Sequence, residues 1–278
     1  MPSIPCRNVN NGSGAKGPAE WRRMFSILTL NLRFGLAQDG PNGWEFRKKS
    51  LKKLLDRYPT DFAGFQEVND FQFDFIADAL GKNVSSIGRR ISAPDAWQNN
   101  VIFYRNPWQC VHRDHFYLSS TPDIPSRFQR SKWPRQCTVG MFQKGSERVI
   151  CVNTHFDFDA EVQADSARVI LDRMLSLPVN VPVVLFGDFN AVPGSPCYRV
   201  LTEKHADRPA NARVFKEVFC RPYPATHHGF TGKTDGAHID WVLFEGALSP
   251  ISCTVLQQKF DGRYPSDHYP LVTFFEGS

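Results

Sequence analysis

Cysteine is sparse in this sequence of 278 residues, and no two cysteines form a CxxC pair. The seven cysteines are scattered and odd in number, which argues against a disulfide framework and against a cysteine-based zinc site. Cys151 lies inside an apolar run, so an activated catalytic thiol is not expected there. We therefore expect free thiols in a reducing compartment, the cytoplasm.

Long apolar runs and a strong net charge are also missing. No stretch is long and apolar enough to cross a bilayer, and the first residues lack the apolar core of a secretory signal. The formal net charge is +5, but residues 1–23 hold four basic side chains and one acidic one, which leaves 29 basic and 27 acidic residues elsewhere. This near balance is weak support for a polyanion-binding groove. We expect a disordered basic leader over 1–23 and a single catalytic domain over 24–278.

A GxSxG nucleophile elbow is absent as well. Ser266, Asp267 and His268 have the residue types of a serine-hydrolase triad, but neighbours on a chain cannot form one. A serine hydrolase is therefore excluded.

Hydrophobic periodicity organises the rest of the chain. It predicts a strand over 25–31, a helix over 44–58 and a strand over 61–67, and the same succession again over 148–155, 161–175 and 181–187. Two such units indicate two similar halves. Further strands are predicted over 85–91, 100–105, 110–118, 137–143, 238–244, 251–258 and 269–275. We expect an α/β fold of two packed mixed sheets with outer helices.

Polar residues fall where the apolar strands end. Asn31, Glu67, His155 and Asp188 each close a predicted strand, and open α/β sheets bind ligands outside the carboxyl ends of their strands. Residues two apart on a strand point the same way, so Asn153 accompanies His155, Asn190 accompanies Asp188 and Arg33 accompanies Asn31. Taken singly, each has a structural reading, as a turn-forming asparagine, a surface acid or a structural histidine.

Six short motifs in order carry a resemblance. They are LNLR around Asn31, QE at Glu67, NTHFDFD from Asn153, GDFN from Gly187, HIDW from His238 and SDH from Ser266. This set resembles the endonuclease/exonuclease/phosphatase superfamily, which has the pancreatic-deoxyribonuclease fold, across about 25–275. IFYR, YLSSTPD and GRYPSDHYP resemble a bacterial and fungal branch of uncertain substrate. The resemblance implies a four-layer α/β/β/α sandwich.

The resemblance also implies a role for each site residue. Glu67 would be the main carboxylate on a divalent metal, supported by Asn31 and Asp267. Asp188 would activate the attacking water, Asn190 would hold that water or a phosphate oxygen, and His155 would donate to the phosphate. His268, tethered by Asp240, would be the second catalytic imidazole. Oxygen ligands without Cys/His spacing favour Mg²⁺, or alternatively Mn²⁺, over Zn²⁺.

A second group of residues is expected to bind substrate. Arg33 and Arg135 can clamp a phosphate, whereas Arg47 is expected on the solvated face of a lysine-rich helix. Aromatic side chains can stack on a base or sugar ring, although aromatics are more often core residues. These candidates are Phe34, Trp44, Trp97 and Trp133, and the remaining predicted substrate contacts are Asn100, Asn153 and Asp157.

Three functions of different classes follow. The first is a metal-dependent phosphoesterase, a monomer acting on a phosphorylated small molecule, favoured by the near-neutral domain. The second is a nuclease, including one for abasic DNA, whose partner is nucleic acid. The third is a scaffold that has lost catalysis, which is disfavoured because every charged position of the constellation is filled.

Overall fold

The computed structural model describes residues 23–90 and 97–277, and within them it forms twelve strands and four α-helices. The strands are β1 (Arg23–Asn31), β2 (Phe62–Val68), β3 (Val84–Ile87), β4 (Asn99–Arg105), β5 (Gln109–Tyr117), β6 (Gln136–Lys144), β7 (Glu147–His155), β8 (Val183–Asp188), β9 (Lys216–Glu217), β10 (Asp240–Glu245), β11 (Leu248–Val255) and β12 (Leu271–Gly277). The helices are α1 (Trp44–Arg57), α2 (Asp70–Leu80), α3 (Ala160–Met174) and α4 (Pro196–Thr202).

The strands form two six-stranded sheets. The first has the order β11-β12-β1-β2-β4-β3 and the second the order β5-β6-β7-β8-β10-β9. Each sheet has one parallel pair, β1 with β2 and β7 with β8, among antiparallel neighbours. In both pairs the polar strand ends lie side by side, as His155 does with Asp188.

Three apolar clusters separate four layers. α1 and α2 pack Leu51, Leu54 and Phe73 against the outer face of the first sheet. α3 and α4 cover the outer face of the second sheet. Between the sheets lies a cluster that includes Phe62 and Phe186. These layers confirm the predicted α/β/β/α sandwich.

Helix α2 is the main element that the sequence analysis did not predict. It begins after Asn69, whose side chain and that of Gln72 form a reciprocal capping box. The Asn-x-x-Gln spacing is readable in the sequence. However, the alternating phenylalanines that follow (Phe71, Phe73, Phe75) have the period of a strand and mask the helix. The short helix α4 was also not predicted.

Two further expectations concern the domain bounds and a membrane span. The predicted leader over 1–23 lies outside the described residues except for Arg23, and the single domain over 24–278 stays a prediction. In the described part of the chain the longest helix, α3, has 15 residues, and none of its helices meets the length and hydropathy of a membrane span.

Candidate active site

The candidate site lies at one end of the layer between the two sheets. Along β8 the side chains that face this layer are Val184, Phe186 and then Asp188. The same change from apolar to polar occurs at His155 in β7 and at Asn31 in β1. Because alternate residues of a strand point the same way, the strands deliver their last inward side chains to one place. The site is therefore the polar end of an otherwise apolar layer.

Gly187 allows β7 and β8 to approach at this point. Its φ is 142°, and a Cβ there would lie 2.0 Å from the carbonyl oxygen of Thr154. Any side chain would push the two strands apart, and with them His155 and Asp188. The glycine of the GDFN motif thus has a structural reason next to the site.

His268 lies between two carboxylates. Its Nδ1 is 2.9 Å from Oδ2 of Asp240, as the sequence predicts, and its Nε2 is 3.8 Å from Oδ2 of Asp188. Burial opposes a charge on this imidazole, but Asp240 and Asp188 outweigh it and raise the pKa of His268 to about 10. At neutral pH His268 is an imidazolium that donates to Asp240.

Asp188 is a buried acid that lies beside a second acid, Asp240. Burial and then the charge of Asp240 raise the pKa of Asp188 to about 7, although His268 and the amide of Asn31 favour its charged form. Oδ1 of Asp188 accepts a 2.8 Å hydrogen bond from the backbone N–H of Asn190. A carboxylate in such a setting can take a proton near neutral pH.

His155 is neutral in this arrangement. Its Nε2 lies 3.4 Å from Oδ2 of Asp188 and 3.1 Å from the amide nitrogen of Asn190. Burial lowers the pKa of His155 well below its ordinary value, and the nearby cations Arg135 and His268 lower it further. His155 can donate one N–H but supplies no charge, so the buried cations of the site are His268 and Arg135.

Glu67 sits on a strained turn of the first sheet. The register of β2 against β4 shifts between Phe65 and Val68, and Glu67 has a φ of 61°. Arg33 and Asn190 have φ values of 62° and 49°, so three of the five non-glycine residues with positive φ in the described chain belong to the site. Backbone strain of this kind concentrates at functional positions.

The amide of Asn31 separates two carboxylates. Its nitrogen donates to Oε1 of Glu67 at 3.1 Å and to Oδ2 of Asp188 at 2.8 Å. Its oxygen accepts from the backbone N–H of Arg33 at 2.9 Å. In this orientation Asn31 does not present the oxygen that the sequence analysis expected on a metal, and a rotation of the amide would be needed to do so.

The donor set nevertheless fits a hard divalent cation. Among the described residues Asp267 clusters with His227 and His268, and Asp188 with Asp240 and His268, while the amide of Asn31 bridges the carboxylates of Glu67 and Asp188. Carboxylate and amide oxygens are the ligands that Mg²⁺ and Mn²⁺ prefer. Asp267 is ionised, because His268 and Arg33 outweigh its burial and lower its pKa.

Arg33 and Arg135 both line the cleft, as predicted. Arg33 makes a bidentate ion pair with Asp39, with Nε–Oδ2 and Nη2–Oδ1 distances of 2.9 and 2.7 Å. Nη1 of Arg135 lies 3.0 Å from Nδ1 of His155, and its Nε is 3.8 Å from Asp157. A carboxylate thus holds the guanidinium of Arg33 through two hydrogen bonds, whereas that of Arg135 only lies near one.

Arg47 does not lie on the solvated face of α1, so that expectation is wrong. Its side chain is buried, and Nη1 donates to the carbonyl oxygens of Leu32 (2.6 Å) and Pro265 (2.9 Å), while Nη2 donates to that of Arg33 (2.9 Å). Burial lowers the pKa of Arg47 to about 10. Arg47 joins two loops that carry site residues and has no access to a phosphate.

Three predicted substrate contacts use their polar atoms inside the protein. Asn153 is fully buried and donates to the carbonyl oxygens of Phe65 and Val101 at 3.0 and 2.8 Å. Asp157 is buried and accepts from Ser131 at 2.7 Å and from three backbone N–H groups. Asn100 lines the cleft, but its amide nitrogen donates to a backbone carbonyl. This geometry favours a positioning role for Asn153 and Asp157 over the substrate contact that was expected.

A pocket of about 520 Å³ opens beside Glu67 and His155. Aromatic side chains supply much of its wall, and two of them are unusually exposed for their size, Trp133 at 54% and Phe158 at 67%. Of the predicted aromatic contacts, Phe34, Trp97 and Trp133 line this pocket. Trp44 does not, because it is buried against α2.

The sequence analysis missed several residues at the site. Phe158 is the second phenylalanine of the NTHFDFD motif, so its place was readable. Thr226 accepts the backbone N–H groups of Ile239 and Asp240 through Oγ1 and so fixes the start of β10. His227 lies against His268 with 4.8 Å between ring centroids. No motif marked these last two.

Comparison with known proteins places the chain in a family. Residues 28–268 match the model of the Endonuclease/Exonuclease/phosphatase family. The chain belongs to this family. Members of this family are metal-dependent phosphoesterases and nucleases.

Individual relatives of the family are distant. An endonuclease/exonuclease/phosphatase from Bacteroides vulgatus has a TM-score of 0.81 and 24% identity, over 91% of this chain and 99% of that one. The mannosyl-6-phosphatase of Bacteroides thetaiotaomicron has a TM-score of 0.79 and 24% identity, over 90% and 99% of the two chains. The CCR4-Not complex 3'-5'-exoribonuclease subunit Ccr4 of Candida albicans is 22% identical over 84% of this chain and 37% of its own length. The chain spans about a third of the length of the curated relatives it matches.

Proposed function

We propose that this chain hydrolyses the phosphate ester of a small molecule with the help of a divalent cation. The observation that carries the proposal is the pocket of about 520 Å³, which adjoins Glu67 and His155 and is the size of a small-molecule site. Its volume suits a substrate with one or two rings. The near-neutral charge outside residues 1–23 also favours a small substrate over a polyanion.

Asp188 is the proposed base for the attacking water. Its pKa near 7 allows it to accept a proton at physiological pH, and Asn190, anchored to the same carboxylate, would hold the water or a phosphate oxygen. His268 is the proposed acid and charge stabiliser, because its imidazolium lies 3.8 Å from Asp188 and is oriented by Asp240. The two groups thus hold a base and an acid side by side.

Negative charge on the phosphate would be met from the opposite wall. Arg135 supplies a buried positive charge, and His155 beside it supplies one N–H. Arg33 at the cleft mouth adds a second guanidinium, held by Asp39. Preorganised donors of this kind stabilise the transition state because they need not reorganise as charge develops.

Glu67 and Asp267 would hold the cation, with Asn31 as a further oxygen donor after rotation of its amide. We propose Mg²⁺, with Mn²⁺ as the alternative. A bound cation neutralises phosphate charge and so contributes several kcal/mol to the reaction.

Hydrolysis assays on one preparation test the proposal. Purified protein with Mg²⁺ would be assayed on a panel of sugar and nucleotide phosphates, a plasmid and an abasic duplex, with EDTA as the control. We expect phosphate release from at least one small ester and its loss in EDTA. Cleavage of the plasmid or duplex alone would overturn the small-substrate proposal.

A nuclease is the second candidate, favoured by the exposed Trp133 and Phe158 at the pocket rim. Exposed aromatics can stack on unpaired bases, and the Candida albicans relative is an exoribonuclease. Phosphate contacts release counterions, so nuclease affinity would fall steeply with salt, whereas binding of a small ester would change little. A fold-only scaffold remains the third candidate and predicts no hydrolysis by folded protein.

Location and assembly are part of the same proposal. The six cysteines of the described chain are free thiols, which supports a reducing compartment such as the cytoplasm. We propose a monomer, because the residues of the candidate site all come from one chain.

A further inference from the structure

His227 is held at the cleft by backbone hydrogen bonds. The segment 226–229 pairs with the SDH motif, where His227 forms an antiparallel bridge with His268 and the N–H of His228 donates to the carbonyl oxygen of Asp267 at 2.9 Å. Tyr269 N–H donates to Thr226 at 2.7 Å on the other side. The backbone of His227 is therefore held next to the segment that presents Asp267 and His268.

The side chains of His227 and His228 have different environments. His228 stacks on Tyr269 with 3.9 Å between ring centroids and is buried among aromatics. The His227 side chain is 43% exposed, and within the described residues its ring makes no hydrogen bond. His227 is thus not required by the core, and its ring nitrogens are available to a ligand.

Asp267 presents an unpaired oxygen to this imidazole. Its Oδ1 accepts from Ser266 at 3.1 Å. Its Oδ2 lies 4.0 Å from Nε2 of His227 and 3.7 Å from Nε of Arg33, and it accepts no hydrogen bond from the residues that the structure describes. Arg33 already has a bidentate partner in Asp39. A buried carboxylate oxygen and an open imidazole nitrogen thus face each other across an unbridged gap.

We propose that His227 is a nitrogen ligand of the catalytic cation, which it binds together with Asp267. The gap of 4.0 Å is spanned by two metal–ligand bonds of about 2.1 Å each, so one ion can touch both atoms without movement of the backbone. His268 is also near, but its Nδ1 is bonded to Asp240 and its Nε2 faces Asp188, so it is not a ligand. The inference rests on the cation of the proposed function and changes its identity.

An imidazole ligand alters which ion the site prefers. Mg²⁺ binds oxygen ligands and gains little from imidazole, whereas Mn²⁺, Co²⁺ and Zn²⁺ bind imidazole well. The site is therefore expected to select Mn²⁺ over Mg²⁺, a choice that the oxygen ligands alone do not make.

Manganese binding tests the inference without reference to activity. Free Mn²⁺ would be measured by electron paramagnetic resonance during titration of the full chain, and Mg²⁺ affinity by competition. We expect His227→Phe, which keeps a ring against His268, to weaken Mn²⁺ binding about tenfold or more and Mg²⁺ binding less than about twofold. His112→Asn, which removes an exposed histidine from β5, is the matched control and should change neither. Equal weakening of both ions, or no weakening of Mn²⁺, would overturn the inference.

A spectroscopic measurement on the unchanged chain covers the case in which the variant does not fold. With ¹⁵N-labelled histidine, pulsed resonance of bound Mn²⁺ should show directly coupled nitrogen. Absence of that coupling refutes the ligand role of His227. Phosphoester hydrolysis by the same preparation separates the two proposals. Hydrolysis without nitrogen coupling would support the proposed function and refute the ligand role of His227. Nitrogen coupling without hydrolysis would support the ligand role and refute the proposed function.

Discussion

The two sheets of the sandwich supply different chemistry to one cleft. The first sheet carries Asn31 and Glu67 at the ends of β1 and β2, and Asp267 just before β12, which are the proposed cation ligands. The second carries His155 and Asp188 at the ends of β7 and β8, and Asp240 at the start of β10, which are the groups proposed to hold and move protons. His268 joins the two sets, because it precedes β12 of the first sheet and bonds Asp240 of the second.

One proposed cation ligand, Glu67, is more exposed than the second-sheet groups, whereas Asn31 and Asp267 are buried. Side chains of the second-sheet set are almost completely buried, Asp188 at 2% and Asp240 at 3%, whereas that of Glu67 is 16% exposed. Burial disfavours the ionised carboxylate of Asp188 and so raises its pKa towards neutrality. A cation ligand instead needs access to solvent from which the ion arrives. Glu67 is therefore the proposed ligand that an arriving ion reaches from solvent, while the acids of the second sheet lie in a drier setting.

Asp188→Asn should have the largest effect on the second-sheet set. We expect kcat to fall by about 10³-fold or more, because the amide cannot accept the proton of water. The pKa of Asp188 is higher in the folded state than in the unfolded state. The stability linked to this carboxyl group is therefore fully present below about pH 4 and is lost as the pH rises through about 7. In EDTA at pH 8 the variant should therefore be more stable than the wild type, by about 1–3 kcal/mol, and at pH 4 the gain should vanish.

Kinetics and calorimetry at both pH values measure this pair of effects. Asp78→Asn, on the exposed face of α2, is the control and should change neither activity nor melting temperature. A destabilised Asp188→Asn variant at pH 8 would contradict the account of Asp188 as a buried acid held at a cost.

His268→Ala breaks the link between the two sheets. We expect kcat to fall by about 10²-fold, since both the acid and the positive charge next to the phosphate are lost. Without the imidazolium, the pKa of Asp188 should rise further, so the acidic limb of the pH–rate profile should move to higher pH. Full activity in steady-state assays of this variant would remove His268 from the mechanism.

Glu67→Gln tests the first-sheet set separately. The Mg²⁺ concentration for half-maximal activity should rise about tenfold or more, because a neutral amide is a poor ligand for a hard dication, while kcat at saturating Mg²⁺ falls less. Metal titrations of initial rate give both numbers. Unchanged activation by Mg²⁺ would show that Glu67 does not bind the ion.

Asp240→Asn should have the smallest effect on rate and a clear effect on pH dependence. Asp240 is the main reason that the pKa of His268 is raised, so the charge on His268 should be lost at a pH well below 10 in the variant. The stability linked to the charge on His268 is present below about pH 6.5 and is lost as the pH rises through the pKa of His268 in the folded protein. In the variant this loss of stability should therefore occur at a lower pH than in the wild type. Ring nitrogen chemical shifts of His268 against pH measure the change. An unaltered titration would place the origin of the shift elsewhere.

Much of the sandwich was predictable because its core strands are strongly periodic. The strand predicted over 181–187 is β8, and the helix predicted over 161–175 is α3, each within two residues at either end. The pairing of strands that are far apart in the sequence could not be predicted in this way. The order of strands in each sheet depends on contacts between distant segments, which periodicity does not encode.

Individual site residues show a similar limit. The motif order indicated that His155 and Asp188 would converge, and the structure brings them within 3.4 Å. It could not indicate that His155 is neutral, because this follows from burial beside Arg135. The motif order also could not distinguish Asn153, whose amide donates to backbone carbonyl oxygens of two strands, from residues that face the cleft.

Arg47 sets a condition on the first-sheet half of the cleft. Its guanidinium bonds the carbonyl oxygens of Leu32 and Arg33 after β1 and that of Pro265 ahead of Asp267, which lie more than 200 residues apart in the chain. A water molecule there has two O–H donors, so it could satisfy two of these carbonyl oxygens but not all three. The spacing of Asn31 and Asp267, two of the proposed cation ligands, is thus set by one buried side chain of α1. We accordingly expect metal affinity to respond to changes in the packing of α1.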